Sequence, residues 1–208
     1  MTKSELVNIT SLPLMYDRGD KGYGVPCPDK LTFRGTTELN ETLMQVRYDL
    51  MDMGWLPHIK AFLTAGTYVD KAGAHGEGKA IDFDGVLLEK NPLLEHKIYN
   101  GLLYKKGEWI GTDEYNMRPL TPRIKTRFAA LLSLHFGVVL TSGYNEAHRD
   151  HIHCDLSRGV WWRGSKSQLI LIYEICDAWN VVLPSVEDSD DWFQILNTVA
   201  FSPEELQT

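Results

Sequence analysis

At 208 residues, 43% hydrophobic and 24% charged, the chain has the size and make-up of one globular domain with a substantial core. A formal net charge of −7 excludes the basic surplus that carries nucleic-acid binding, so no nucleic acid is expected as a partner. Cys27, Cys154 and Cys176 are odd in number and lack motif spacing, which argues against a disulfide scaffold. No apolar run reaches the ~18 residues of a membrane span, so no membrane insertion is expected.

The N-terminus, MTKSELVNITSLPLMYDRGD, has no uninterrupted apolar segment and no small-residue cleavage site, which predicts synthesis in the cytoplasm without a signal peptide. Residues 1–35 are rich in Gly, Pro and Asp and read as irregular. A helix follows, capped by Thr36 or Thr37, striped by Leu39, Leu43, Val46, Leu50 and Met51, and stopped at Gly54. IKAFLTAGTYV reads as a strand and KAIDFDGVLL as a second. Residues 96–110 read as a hairpin or irregular insertion around Asn100-Gly101. TPRIKTRFAALLSLHFG predicts a helix with Thr121 as cap, Pro122 at its first position and Gly137 past its end. VVLTSG and HIHCDL are then short strands separated by YNEAHRD. SKSQLILIYEICDAW and SDDWFQILNTVAF are the last two helices.

This order predicts an α+β fold, a small central antiparallel sheet flanked by helices, rather than a doubly wound parallel sheet. A single domain spans 1–208, with its core at about 36–157. Residues 158–208 form a helical extension that packs through Leu169, Leu171, Ile172 and Ile175.

Two short stretches carry chemistry. In HGEGKAID, His75 and Asp82 are seven positions apart. Gly73, Gly76 and Gly78 make a helix there improbable, so His75 belongs in a turn and Asp82 on the strand after it. Ala80 shares the face of Asp82 and leaves room beside it. In HRDHIHCDL, an extended backbone points His151, His153 and Asp155 to one face and Ile152 and Cys154 to the core. Each residue alone has an ordinary reading as a hydrogen-bonded or surface group. Together they pose a burial problem that a metal solves, since two imidazoles on one face are costly without partners. Two neutral imidazoles, one carboxylate and an open position make a known catalytic zinc arrangement.

The pattern His75-x-x-Gly78-x-Ala80-x-Asp82, followed much later by His148-x-x-His151-x-His153, resembles the zinc peptidases that act on bacterial cell walls. That group contains D-Ala-D-Ala carboxypeptidases, hedgehog-like domains and phage endolysin peptidases. The second motif with its trailing Asp-Leu is especially similar to extensin-like carboxypeptidase domains. The resemblance covers residues 55–157. It implies one catalytic Zn2+ held by His75, Asp82 and His153, with Asp150 as general base. His151 is a rival base or transition-state stabiliser, and His148 a further active-site histidine. Strand parity puts Asp150 opposite His151 and His153, so this role requires a bend before the strand.

The implied activity is hydrolysis of a peptide bond in peptidoglycan, as endopeptidase or carboxypeptidase. An endolysin setting follows, in which the protein acts on the cell wall during host lysis. Alternatives are a virion- or tail-associated wall peptidase, a non-catalytic zinc-stabilised binding domain, and a cytoplasmic D,D-dipeptidase. One departure concerns substrate binding. The arginine common before the first ligand is missing from LTAGTYVDKAGAH, leaving Tyr68, Lys71 or Arg34 as substitutes, and Gly73 stands where a serine is usual. Trp55, Tyr68, Trp109, Trp161 and Trp162 read as core before they read as a groove.

Overall fold

The structure is a computed structural model and describes residues 5–17, 23–25, 33–64, 66–88, 104–105, 108–109, 121–141, 143–148, 151–158 and 189–201. Its elements in chain order are β1 (Val7–Asn8), β2 (Leu14–Asp17), β3 (Tyr23–Val25), β4 (Arg34–Gly35), α1 (Thr37–Asp52), β5 (Ile59–Thr64), β6 (Ala80–Phe83) and β7 (Gly85–Leu88). There follow β8 (Tyr104–Lys105), β9 (Glu108–Trp109), α2 (Thr121–Ser133), β10 (Val138–Leu140), β11 (Ile152–Asp155) and α3 (Ser189–Phe201). The class is α+β.

Helix α1 forms where the sequence places it. Thr36 is extended (φ −66°, ψ 157°), and its hydroxyl accepts the Leu39 N–H, a cap worth about 1 kcal/mol. Leu39, Leu43, Val46 and Leu50 recur on one face and are fully buried. Gly54 takes φ +71°, the left-handed turn that stops the helix. Met51 departs from the expected stripe and is 52% exposed. One position past Leu50 turns a side chain about 100° around the helix, off the buried face.

Two sheets organise the strands. A three-stranded antiparallel sheet runs β10-β11-β6, with Cα partners Leu140, His153 and Asp82 across it and Val139, Cys154 and Ile81 beside them. A four-stranded sheet runs β3-β2-β5-β7, in which β2 and β5 are parallel. Part of the segment expected to be irregular therefore contributes strands. Leu14-Met15-Tyr16 is too short to show a period, and its partner Phe62-Leu63-Thr64 is remote in sequence.

The stretch KAIDFDGVLL, expected as one strand, breaks at Asp84, whose N–H donates to the Leu63 carbonyl at 2.8 Å, and β6 and β7 enter different sheets. The strand expected over IKAFLTAGTYV ends at Thr64, whose hydroxyl accepts the Gly66 N–H at 3.0 Å. Within the stretch 96–110, Lys105 of β8 pairs with Glu108 of β9, and Asn100-Gly101 lies outside the described residues. Thr121 is the first helical residue of α2, not its cap. The helix expected over SKSQLILIYEICDAW, with Leu169, Leu171, Ile172 and Ile175, lies outside the described residues, as do Trp161 and Trp162.

The core lies between the β10-β11-β6 sheet and the helices. Phe83 meets Phe62 and Phe128 edge-on, at centroid separations of 5.8 and 5.2 Å, and Phe62 stacks on Phe128 at 5.7 Å. All three rings are essentially inaccessible to water, a burial worth roughly 2–3 kcal/mol each. Ile81, Phe83, Ile152 and Cys154 supply the core-facing side of β6 and β11. The opposite faces are thereby left for Asp82, His153 and Asp155. Among the described residues no helix is long and apolar enough to cross a membrane.

Candidate metal centre

The site begins with a register. His153 on β11 and Asp82 on β6 are directly paired across antiparallel strands, so their side chains leave the sheet on the same face. Two residues on, Asp155 pairs with Ala80, whose methyl leaves space for the carboxylate.

His75 reaches this face from a glycine-built turn. Gly73 and Gly78 adopt φ +100° and +69°, open to glycine at little cost. The turn is closed by hydrogen bonds from Gly78 N–H to the His75 carbonyl (3.1 Å) and from Lys79 N–H to the Ala74 carbonyl (2.9 Å). It is also pinned from outside. The Thr36 N–H donates to the Gly78 carbonyl at 2.8 Å, and a Cβ on Gly35 would stand 2.9 Å from that oxygen.

Nε2 of His75 lies 3.2 Å from the Asp82 carboxylate, and Nδ1 of His153 lies 2.8 Å from Asp82 Oδ1. The two rings are 5.1 Å apart. One donor atom from each of His75, Asp82 and His153 falls within 4.8 Å of the others, so the group could hold a metal ion. Coordination bonds of about 2.0–2.2 Å would need only modest convergence of these side chains. Nδ1 of His75 is buried and has no hydrogen-bond partner among the described residues, where the Asp82-facing side holds that ring's polar contact.

Electrostatics at the cluster are tightly coupled. Burial would raise the Asp82 pKa, but hydrogen bonds from His153 and His75 and their charge hold the carboxyl far below the usual range. Burial would lower that of His153. Hydrogen bonds to Asp155 and Asp82, with their charges, push it up to about 9 instead. Asp155 is likewise opposed by burial and held low by His153 and Ser157. Without a metal the buried carboxylates are balanced by a proton on His153. A cation would take over that balance. Burial pushes the Cys154 thiol well up, and its side chain faces the core, so it is no ligand.

The other expected residues divide. His151 immediately precedes β11, and its Nε2 is 3.7 Å from Asp82 Oδ1. His148 closes a single 3-10 turn, Glu146–His148, with its ring 5.3 Å from that of His151 and 5.7 Å from that of His153. Its Nδ1 meets Asn145 Oδ1 at 2.7 Å, and Tyr144 packs edge-on against it. Asp150 lies outside the described residues.

Of the arginine substitutes, Arg34 donates from Nη2 to the Leu6 carbonyl, Tyr68 is buried and Lys71 is exposed. Trp55 belongs to the core, where the Arg127 guanidinium lies 5.3 Å from its ring centroid.

Sequence reasoning placed Asp155 on the right face without giving it a role. It accepts from His153 Nε2 at 3.0 Å. The i, i+2 spacing of His153 and Asp155 on one strand was the available signal. Asn145 and Tyr144 gave no signal, since a loop has no period to read.

No family model matches this chain, and neither a curated protein nor a solved structure matches it.

Proposed function

We propose that this chain is a zinc-dependent peptidase that hydrolyses a peptide bond in the stem or cross-bridge peptides of bacterial peptidoglycan, in the manner of an endolysin. The observation that carries this reading is the convergence of His75, Asp82 and His153 within 4.8 Å on one face of the β6–β11 pair. It is supported by the order His-x-x-Gly-x-Ala-x-Asp and His-x-x-His-x-His, which resembles the wall peptidases.

Two imidazoles and a carboxylate suit zinc better than the all-oxygen sites of calcium or magnesium. When bound, zinc supplies Lewis acidity toward a peptide carbonyl and lowers the pKa of water. The chain's own groups divide the remaining work. His75, Asp82 and His153 hold the ion. His151, beside Asp82, donates a hydrogen bond to the oxyanion that develops on the scissile carbonyl. Asp150 takes a proton from the attacking water and returns it to the leaving amine. That role for Asp150 rests on the resemblance of the His148-x-x-His151-x-His153 motif to the wall peptidases.

The test is digestion of purified peptidoglycan by the wild type, His153→Ala and Asp150→Ala, with mass analysis of the fragments. New peptide termini are expected from the wild type alone, and their masses identify the bond. Intact peptidoglycan after incubation with zinc-loaded wild type would overturn the peptidase reading. Virion location, detected in purified particles, would move the same chemistry from lysis to entry.

A further inference from the structure

Resting on the metal-site reading, we propose that Asp155 is a positioning residue that, braced by Ser157, presents Nδ1 of His153 as the metal-binding nitrogen. An imidazole has two nitrogens, and a neutral ring binds a metal through one while the other keeps its proton. Nothing in the sequence says which of the two faces the metal. The surroundings of His153 decide it.

Nε2 lies 3.0 Å from Asp155 Oδ2, and Nδ1 lies 2.8 Å from Oδ1 of Asp82. The carboxylate of Asp155 is itself held. Its Oδ1 accepts the Ser157 N–H at 2.8 Å and the Ser157 hydroxyl at 2.5 Å. Both oxygens are thus committed on a residue only 7% exposed, between Ala80 on one flanking strand and Val138 on the other.

When a metal displaces the proton that Nδ1 shares with Asp82, the remaining proton would stay on Nε2, donated to Asp155, and the Nδ1 lone pair would face the space between Asp82 and His75. A carboxylate behind a ligating histidine fixes the tautomer, the ring angle and the basicity of the ligand nitrogen. The strand supplies this arrangement because residues i and i+2 share a face. Serine two residues further on closes a local turn that keeps the carboxylate from rotating away.

The experiment uses the full chain loaded with Zn2+, as wild type, Asp155→Ala, Asp155→Asn and Ser157→Ala. Zinc affinity is read by competition with a chromophoric chelator, and histidine tautomers by long-range 1H–15N correlation. The wild type is expected to show His153 protonated on Nε2 and ligated through Nδ1. Asp155→Ala is expected to weaken zinc about 10–100-fold, the range for outer-shell partners, with smaller losses in Ser157→Ala. Asp155→Asn, whose amide oxygen still accepts a hydrogen bond, is expected to recover part of the loss.

Wild-type affinity and an unchanged tautomer across the series would overturn the proposal while leaving the metal site standing. So would ligation through Nε2. A wild type that takes up no zinc would overturn both. If Asp155→Ala does not fold, Asp155→Asn and Ser157→Ala carry the same comparison.

Discussion

His153 and Asp82 are 71 residues apart in sequence and direct partners across β11 and β6, with Nδ1 of one 2.8 Å from Oδ1 of the other. The pairing makes one half of the site a property of sheet register. A slip of β11 by one residue would send His153 to the core face, away from Asp82, and bring Cys154 out.

Removal of a ligand should abolish metal binding without abolishing the fold. His153→Ala and Asp82→Asn are expected to lose zinc affinity by on the order of 100-fold or more, beyond the loss from an outer-shell partner. Far-UV circular dichroism should stay close to wild type, because both side chains lie on the face away from the core. Stoichiometric zinc in either purified variant after dialysis would contradict the assignment.

Stability of the metal-free protein should depend on pH in a defined sense. His153 has a folded pKa raised to about 9 from an ordinary 6.5, so its contribution is fully present below 6.5 and lost as pH rises through 9. Asp82 is depressed below its ordinary 3.8, so its contribution is present above that value and lost in acid. Melting temperature in chelator is therefore expected to be highest between about pH 4 and 6.5 and to fall toward pH 9. Zinc binding would displace the His153 proton, so zinc affinity should rise over the interval in which metal-free stability falls. A melting temperature flat from pH 6 to 10 in chelator would sink this prediction.

Gly76 tests the turn that delivers His75. A Cβ there would lie 1.5 Å from the Lys71 carbonyl oxygen, a backbone atom that cannot step aside. Gly76→Ala is expected to cost about 1–3 kcal/mol in urea unfolding and to weaken zinc binding as the turn shifts. Gly54→Ala is a useful contrast. Its Cβ meets nothing within 4 Å, so the cost should come from φ +71° alone and spare zinc affinity.

Cys154→Ala separates core from site on a single strand. The thiol is fully buried among apolar side chains, next in sequence to His153 and turned the other way. A loss of about 1 kcal/mol in stability is expected, from a small buried volume, with zinc affinity unchanged. A lost zinc ion would mean that the thiol is a ligand after all.

His151→Ala should keep zinc and lose turnover. If this ring stabilises the oxyanion, kcat is expected to fall by about 10²–10³ with little change in KM, the pattern of a contact made only in the transition state. Kinetics on a peptidoglycan-derived peptide would decide, and an equal rise in KM with kcat intact would reassign His151 to substrate binding.

The parts of the site carried by local rules were legible in the sequence. Period-two alternation put Ile152 and Cys154 inward and His153 and Asp155 outward, and the glycines around His75 announced a turn. The last helix was legible too, as SDDWFQILNTVAF matches Ser189–Phe201. What stayed hidden depends on distant partners. No local period shows Leu14–Tyr16 lying parallel to Phe62–Thr64, or β6 and β7 parting at Asp84. The Ser157 brace depends on side-chain hydrogen bonds, which leave no hydrophobic pattern. Met51 was misread because a helix face is narrower than a run of apolar letters.

Thr36 holds α1 with its hydroxyl and the His75 turn with its own N–H. One peptide therefore couples the start of a helix to the placement of a ligand. Until α1 has docked, the Gly78 carbonyl lacks this donor and His75 lacks its anchor, while His153 and Asp82 wait on a strand pairing of long sequence separation. Completion of the three-residue cluster is thus expected late in folding, because its contacts join residues far apart in sequence. An ion held by this cluster would bind a chain whose topology is already formed, so zinc added during refolding should slow unfolding more than it speeds folding.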